Sequence, residues 1–510
     1  MKTKIVTILM ICLLLFTGCS SQTETSTVIE DSSPKLEYTS LFELSKIKRF
    51  AVCTGTIYDG IIKKMYPQAE IQYYPGPVDC ALAVAKNKAD ATLYDAPILQ
   101  YIADSTAGVG VMPDYLMKDN YHFCTGKTER GEWLKKEFDE WLAIQKQNGE
   151  IDRLYDFWCS NKEPDRIFDF STLPEINGKV IIATSGGSRP DVYYYKNTFS
   201  GLPIELIYEF CEDKGFGGET IIASDNVLAQ LATGKVDIAL YFMSYTEERA
   251  ESVLFTDPVL ESGVGVMVRS NEKDTSSFWT IIKNGIIKTF IKEDRWKLLA
   301  SGLETAIIIS AGGFLLANIL GVLFCYLAMS KHKWLKLLAD AYNRIMQGTP
   351  MVVILMVLYY VIFGNSSISS IWIAIIAFGL TSGATLFQQF YVAVTSVDKG
   401  QTEAGLAIGF TSLQTFIEIV LPQAVRMALP GYFSELIALI KGTSIVGYIS
   451  IVDLTRAGDL IRSSTYDAFF PLLSVAFIYF LISFILLCIL KYFQKKLAPK
   501  RYVANKEETK

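Results

Sequence analysis

The chain has 510 residues, room for two or three domains, and half of them are hydrophobic. A net charge of −5 offers no basic surface to nucleic acid, and two histidines, His122 and His332, leave almost no material for histidine catalysis or a histidine metal site. Up to about residue 290 the sequence reads as globular protein; beyond about 303 apolar runs dominate, and no coiled-coil, collagen or solenoid period is present.

At the amino end, Lys2 and Lys4 precede an apolar run over 5–16 that is too short to span a bilayer. The following Phe-Thr-Gly-Cys, ending at Cys19, resembles a bacterial lipobox. The resemblance implies cleavage and a lipidated Cys19, although Phe16 stands where the pattern usually has Leu. As a lipoprotein or behind a plain signal peptide, the next residues lie outside the cytoplasm, and 20–34 form a polar, flexible tether. Cys53, Cys80, Cys124, Cys159 and Cys211 are scattered, without CxxC or metal-ligand spacing; they leave room for one disulfide but not for a dense framework.

Residues 35–270 alternate short β-rich runs with helical patterns. Strands are expected at 49–53, 71–74, 89–94, 180–184, 220–223 and 236–242, and helices at 58–65, 78–86, 131–146, 204–214 and 227–232. Such alternation implies an α/β fold with mostly parallel strands and a ligand site beyond their carboxyl ends.

This region resembles the extracytoplasmic solute-binding proteins of polar amino-acid ABC importers, with its parts in an unusual order. KRFAVCTGTIYDGIIKKMYPQAEIQYYPGPVDCALAVAKNKADATLYDAPIL resembles lobe two and comes first, so 35–130 read as lobe two. EWLKKEFDEWLAIQKQNGEIDRLYDFW resembles the closing helices of lobe one, assigned to 131–162. The stretch from GKVIIATSGG to GVGVMVR resembles the opening half of lobe one, assigned to 163–270. One circularly permuted clamshell accounts for this order more simply than two truncated copies, because nothing is duplicated.

Three places carry the chemistry of the cleft. Ser244 and Glu247 have capping-box spacing, and Arg249 adds a planar charged fork in the first turn, an arrangement suited to a carboxylate. The resemblance gives Arg249 the α-carboxylate of an amino acid and Ser244 a supporting hydroxyl; the bland alternative is a solvated surface arginine. Thr54-Gly55-Thr56 sits at a strand-to-helix turn, either offering backbone donors to the same carboxylate or forming a simple tight turn. Asp95 ends a strand, where the family places an acid for the ligand ammonium; the competing role is an N-cap for the helix near Pro97. The chain departs from the family in having Ser188 and Ser224 where aromatic rings are common, Ser185 where an acid is usual, and Phe242 beside the carboxylate position. Tyr193 to Tyr195, or Tyr241, are candidates to replace the rings.

Apolar residues at helical spacing over 271–296, among them Phe278, Trp279, Ile282, Ile286 and Phe290, predict an amphipathic helix on the outer membrane surface or packed on the clamshell. Five spans follow at about 304–329, 351–363, 371–394, 429–451 and 469–490. Basic residues after the first span (Lys331, Lys333, Lys336, Arg344) and after the fifth (Lys491, Lys495, Lys496, Lys500, Arg501) predict that both segments are cytoplasmic, with the clamshell outside.

Between spans three and four runs QTEAGLAIGFTSLQTFIEIVLP, residues 401–422, read as two short helices joined at Gly409 with Glu403 near the start of the first. Its Glu403, Ala404, Gly409, Ile419, Leu421 and Pro422 match the spacing of the EAA loop of ABC importer permeases; Gly405 replaces the second alanine. The resemblance implies an all-α permease domain of about five helices whose loop docks on a separate ATPase. It also marks Gln347, Gln388, Tyr391 and Gly442 as replacing usually charged residues, through either a less polar route or coupled loss of ion pairs. No P-loop is present: Tyr121 stands where the first glycine must be ahead of Gly126-Lys127-Thr128. ATP and Mg²⁺ are therefore expected on a partner ATPase, with none bound to this chain, and the permease is expected to pair with a second copy, the alternative being a second, different permease. The reading is an importer subunit for an amino acid or similar small carboxylate, not an enzyme; the alternative is a solute-sensing receptor or a transporter that binds without transport.

Overall fold

The computed structural model describes residues 35–497 apart from 161–165, 185–188, 197, 223–226, 272–277, 365, 367 and 468. Cys19, the tether, Ser185, Ser188, Ser224 and the basic residues beyond 497 lie outside the described residues.

The α/β part is built on a ten-stranded sheet. Its strands are β1 (Arg49–Cys53), β2 (Glu70–Tyr74), β3 (Ala91–Asp95), β4 (Val109–Val111), β5 (Met117–Gly126), β6 (Lys179–Thr184), β9 (Gly217–Ile222), β10 (Ile238–Ser244), β11 (Val253–Phe255) and β12 (Leu260–Arg269); β7 (Tyr193–Tyr195) and β8 (Thr198–Ser200) form a separate ribbon. The predicted helices are present, those at Tyr58–Met65 and Val227–Ala232 with the expected bounds.

The sheet consists of two halves of matching order. The N-lobe has β2-β1-β3-β12, with β4 added to β12; the C-lobe has β9-β6-β10-β5, with β11 added to β5. Within each half the outer three strands are parallel. The long strands β5 and β12 run antiparallel to each other and to their neighbours, and their pairing, from Leu260↔Tyr121 to Val264↔Met117, joins the halves. The passage between lobes thus falls inside β5, ahead of the expected boundary at 130. Leu36 pairs with Ser270 in an isolated bridge, so the domain begins and ends side by side on the N-lobe.

Each lobe has its own core. Phe138, Trp141 and Phe210 interlock in the C-lobe with ring centroids 5.3–5.7 Å apart. Ala51, Val84, Leu99 and Ile102 fill one face of the N-lobe sheet, and Phe50, Ile62 and Leu93 the other. Among the described residues Cys80, Cys124, Cys159, Cys211, Cys325 and Cys488 are free thiols.

Among the described residues, the helical part has three helices long and apolar enough to cross a membrane, Phe278–Met329, Ser370–Thr395 and Phe469–Gln494, or five if two bent pairs each count as one span. The expected second span is Met351–Ile362, bent by 103° from Lys333–Gly348; the fourth lies within Ser412–Ile449. Arg295–Met329 packs closely along Ser370–Thr395 through small residues: a Cβ at Gly313 would lie 3.0 Å from Phe378, and one at Gly379 2.5 Å from Leu316. The predicted linker helix is broken. Phe278–Ile286 exposes Phe278 and Trp279, and Glu293 and Asp294 then take positive φ, so the chain kinks before the first long helix.

Candidate functional site

Strand ends from both lobes meet at one cleft. Asp95 closes β3 at the edge of the N-lobe sheet. Its buried carboxylate accepts from the Tyr58 hydroxyl at 2.5 Å and makes no cap bond to the helix it precedes, so the N-cap alternative is not realised. Burial pushes this carboxyl up to about 6, against the opposing pull of hydrogen bonds from Tyr58 and Tyr121. The sign follows from linkage. An acid raised on folding stabilises the folded state below its unfolded value and loses that contribution as pH rises through about 6. An ammonium partner needs the ionised form, so its affinity is expected to climb with pH and level off above about 6; titration calorimetry at pH 5 and pH 7 checks this.

Arg249 comes from the C-lobe, after β10. Its Nη1 donates to the Ser244 carbonyl at 3.2 Å, and its Nη2 crosses the cleft to the Gly55 carbonyl at 2.9 Å. The helix here is the single turn Glu247–Ala250, capped by Thr246 and not by Ser244; the Ser244 hydroxyl donates instead to Asp119 at 2.6 Å. Ser244 ends the strand, which leaves the cap to the next extended residue with a side-chain oxygen. The turn at 54–56 is also used otherwise than expected. The Thr54 and Thr56 amides donate to the Tyr74 and Cys53 carbonyls, so the group this turn turns towards Arg249 is an acceptor, the carbonyl of Gly55, whose φ is +80°.

A narrow cavity lies between the lobes, lined among others by Asp95, Tyr121, Tyr155, Asp191, Phe242 and Ser262. Phe242 stacks on Tyr121 with centroids 5.7 Å apart. The rings at the cavity are therefore Tyr121, Tyr155 and Phe242. Tyr193 and Tyr195 are buried in the C-lobe core, and the side chain of Tyr241 is outside the description. Sequence reasoning missed Tyr58, Tyr121, Tyr155 and Asp191. Only Asp191, an acid directly after Pro190 in the loop between β6 and β7, carried a local signal.

The α/β domain rests on the helical part through Leu454–Thr465. Leu454, Leu460 and Ile461 join the C-lobe core, and Tyr466 joins the N-lobe core. Arg462 pairs with Asp79 of the N-lobe. From the C-lobe, Gln230 donates to Ser450 at 2.6 Å, Lys235 to the Tyr359 carbonyl at 3.0 Å, and the Arg189 guanidinium meets Glu293 at 3.4 Å. Both lobes thus touch the membrane helices.

The sequence profile of the binding-protein-dependent transport system inner membrane component family matches residues 313–499. The L-cystine transport system permease protein TcyB of Bacillus subtilis is 31% identical over 217 residues, 42% of this chain and 92% of that protein. The chain belongs to the inner membrane component family of binding-protein-dependent transport systems. The profile of the family 3 bacterial extracellular solute-binding proteins matches 180–404; from 313 this interval coincides with the permease match, so its share of the α/β domain begins at β6. A putative glutamine transport system permease protein GlnP of Rickettsia typhi is 32% identical over 185 residues, 36% of this chain and 85% of that one. The crystal structure of an amino acid ABC transporter with histidines is 28% identical, covering 44% of this chain and all of that one, with a TM-score of 0.38. This is a permease with its solute-binding domain in the same chain.

In the permease, the loop of EAA-like spacing forms the helix Lys399–Ala407, a turn through Gly409 at φ +95°, and a second helical stretch from Ser412. The first helix is capped by Asp398, whose carboxylate accepts from the Gly400 amide at 2.7 Å; Glu403 sits exposed in its second turn, too far in to act on the terminus. The second helix is not a separate short element. A wide π turn at Phe416–Val420 leads it into Leu421–Gly442, which accommodates Pro422 without a break. Ala404 and Leu421 are exposed. A Cβ at Gly405 would lie 2.5 Å from Thr415 and 2.9 Å from Ile419, so the glycine lets the two helices close together. Of the positions where the resemblance expects charge, Gln347 donates to Gln388 at 2.9 Å, forming a neutral amide pair.

Proposed function

We propose that this chain is the membrane subunit of an ABC importer for an amino acid, capturing its solute in the fused clamshell and coupling to a separate ATPase that holds ATP and Mg²⁺. The observation that carries the reading is the cleft, where the Arg249 fork of the C-lobe reaches the Gly55 carbonyl of the N-lobe and the buried Asp95 carboxylate of the N-lobe lines the cavity between the lobes. An α-carboxylate on Arg249 and an α-ammonium on Asp95 would bring the lobes together. The names of the permease relatives, for cystine and glutamine, point the same way.

The loop at 399–422 is the ATPase contact in this reading: it presents Glu403 and exposed Leu406, Ile408 and Leu413 on one small surface. The loop and the basic segments lie in the cytoplasm, the clamshell lies outside behind lipidated Cys19, and two copies of the chain assemble with two ATPases. A closed, liganded clamshell resting on Leu454–Thr465 favours the outward-facing permease. The test is uptake of labelled amino acids by proteoliposomes holding this chain and its ATPase. ATP-dependent accumulation of an amino acid supports the reading, and binding without accumulation counts for a sensor.

The clamshell is one permuted domain. Its lobes share a strand order, nothing is duplicated, and Leu36 and Ser270 adjoin where the permutation places the new ends. Residues 35–270 expressed alone are expected to melt in one cooperative transition by calorimetry; two independent transitions would favour truncated copies.

A further inference from the structure

We propose that the cleft takes a dicationic amino acid, with Asp191 as the counter-ion of the second positive group. This rests on the amino-acid reading above and adds the class of side chain. Asp95 from the N-lobe and Asp191 from the C-lobe line the same cavity, and no lysine, arginine or histidine lines it among the described residues. Asp95 is engaged by Tyr58 at 2.5 Å. The Oδ1 atom of Asp191, in contrast, is out of reach of solvent and has no hydrogen-bond partner among the described residues.

The nearest cations are committed elsewhere. Arg189, two residues before Asp191, lies with its guanidinium 4.2 Å above the Tyr193 ring and pairs with Glu293 of the linker. Arg249 is on the cleft's other bonds, to Ser244 and Gly55. One α-ammonium can neutralise one of the two acids; the other needs a second cation or a retained proton, since a buried charge left unpaired is strongly unfavourable.

The rest of the lining suits such a side chain. Ile98, Leu202 and Leu260 offer apolar surface to a methylene stem, and Tyr121 and Phe242 add aromatic surface to the same lining. Besides the two acids, the titratable groups lining the cavity are Tyr121, Tyr155 and Cys159. Burial, reinforced by the nearby Asp95 charge, holds the Asp191 carboxyl well above the usual range. A second cation therefore displaces that proton: the carboxyl O–H gives its proton to solvent, and the carboxylate pairs with the ligand.

The experiment is titration calorimetry of the full chain in lipid nanodiscs with L-arginine, L-lysine and L-glutamine, in two buffers of different ionisation enthalpy. Arginine and lysine are expected to bind about tenfold or more tighter than glutamine and to release protons. In D191N the preference for arginine over glutamine is expected to fall to about unity. Glutamine bound as tightly as arginine, or a preference that survives D191N, overturns the proposal while leaving the amino-acid reading intact. Binding of none of the three by the wild type overturns both. Should D191N bind nothing, the wild-type preference and its proton release decide.

Discussion

Replacing Arg249 by alanine is expected to weaken amino-acid binding by about thirtyfold or more, the cost of removing one partner from a desolvated charge pair, about 2–5 kcal/mol. Two effects combine. The substitution removes a cationic fork the C-lobe brings to this cleft, and it removes the 2.9 Å bond by which Arg249 reaches the Gly55 carbonyl across the lobes. The second loss favours the open clamshell, so a slower approach to the closed form should accompany the weaker affinity. Lysine at this position keeps the charge but not the two-directional fork and should recover only part of the loss. Calorimetry with the full chain measures both; an alanine variant that binds like the parent would remove Arg249 from the site.

The second large effect belongs to the other end of the protein. The pair Glu403→Ala and Gly409→Ala is expected to bring ligand-stimulated ATP hydrolysis down to the unstimulated rate in proteoliposomes containing the partner ATPase. Gly409 holds φ at +95°, and a side chain there strains the turn by about 1–3 kcal/mol although nothing stands within 4 Å of its Cβ. The strain would reorient Lys399–Ala407 against the helix that begins at Ser412, and losing Glu403 strips the exposed face of its acid. Amino-acid binding measured on the same preparation separates lost coupling from lost folding. Stimulation that persists at the parent rate would argue that the ATPase docks elsewhere.

Much of this architecture could be read from the residues because the signals are local. Gly409 and Pro422 stand at fixed spacing, the strands β1, β3 and β6 are short apolar runs, Asp95 ends one strand and Arg249 lies in the helical turn after another. What escaped depends on contacts between distant segments. β5 and β12 each begin in one lobe and finish in the other, and neither alternates cleanly because each borders different neighbours along its length. Tyr121 therefore looked like a failed P-loop position and not like part of a cavity wall. The cap moved from Ser244 to Thr246 because the hydroxyl of Ser244 found Asp119, 125 residues away in sequence, on the neighbouring strand. The second loop helix ran on into the span because a π turn, which no spacing announces, accommodates Pro422.

The bridge between Leu36 and Ser270 has a kinetic consequence. Both covalent connections leave the same lobe at neighbouring points, so parting the lobes need not stretch either of them. A clamshell fused to its permease stays at an effective concentration of order millimolar whenever the two part. Rebinding is then a first-order event independent of how much protein the membrane holds. A freely diffusing binding protein would have to approach that concentration to compete for the same seat.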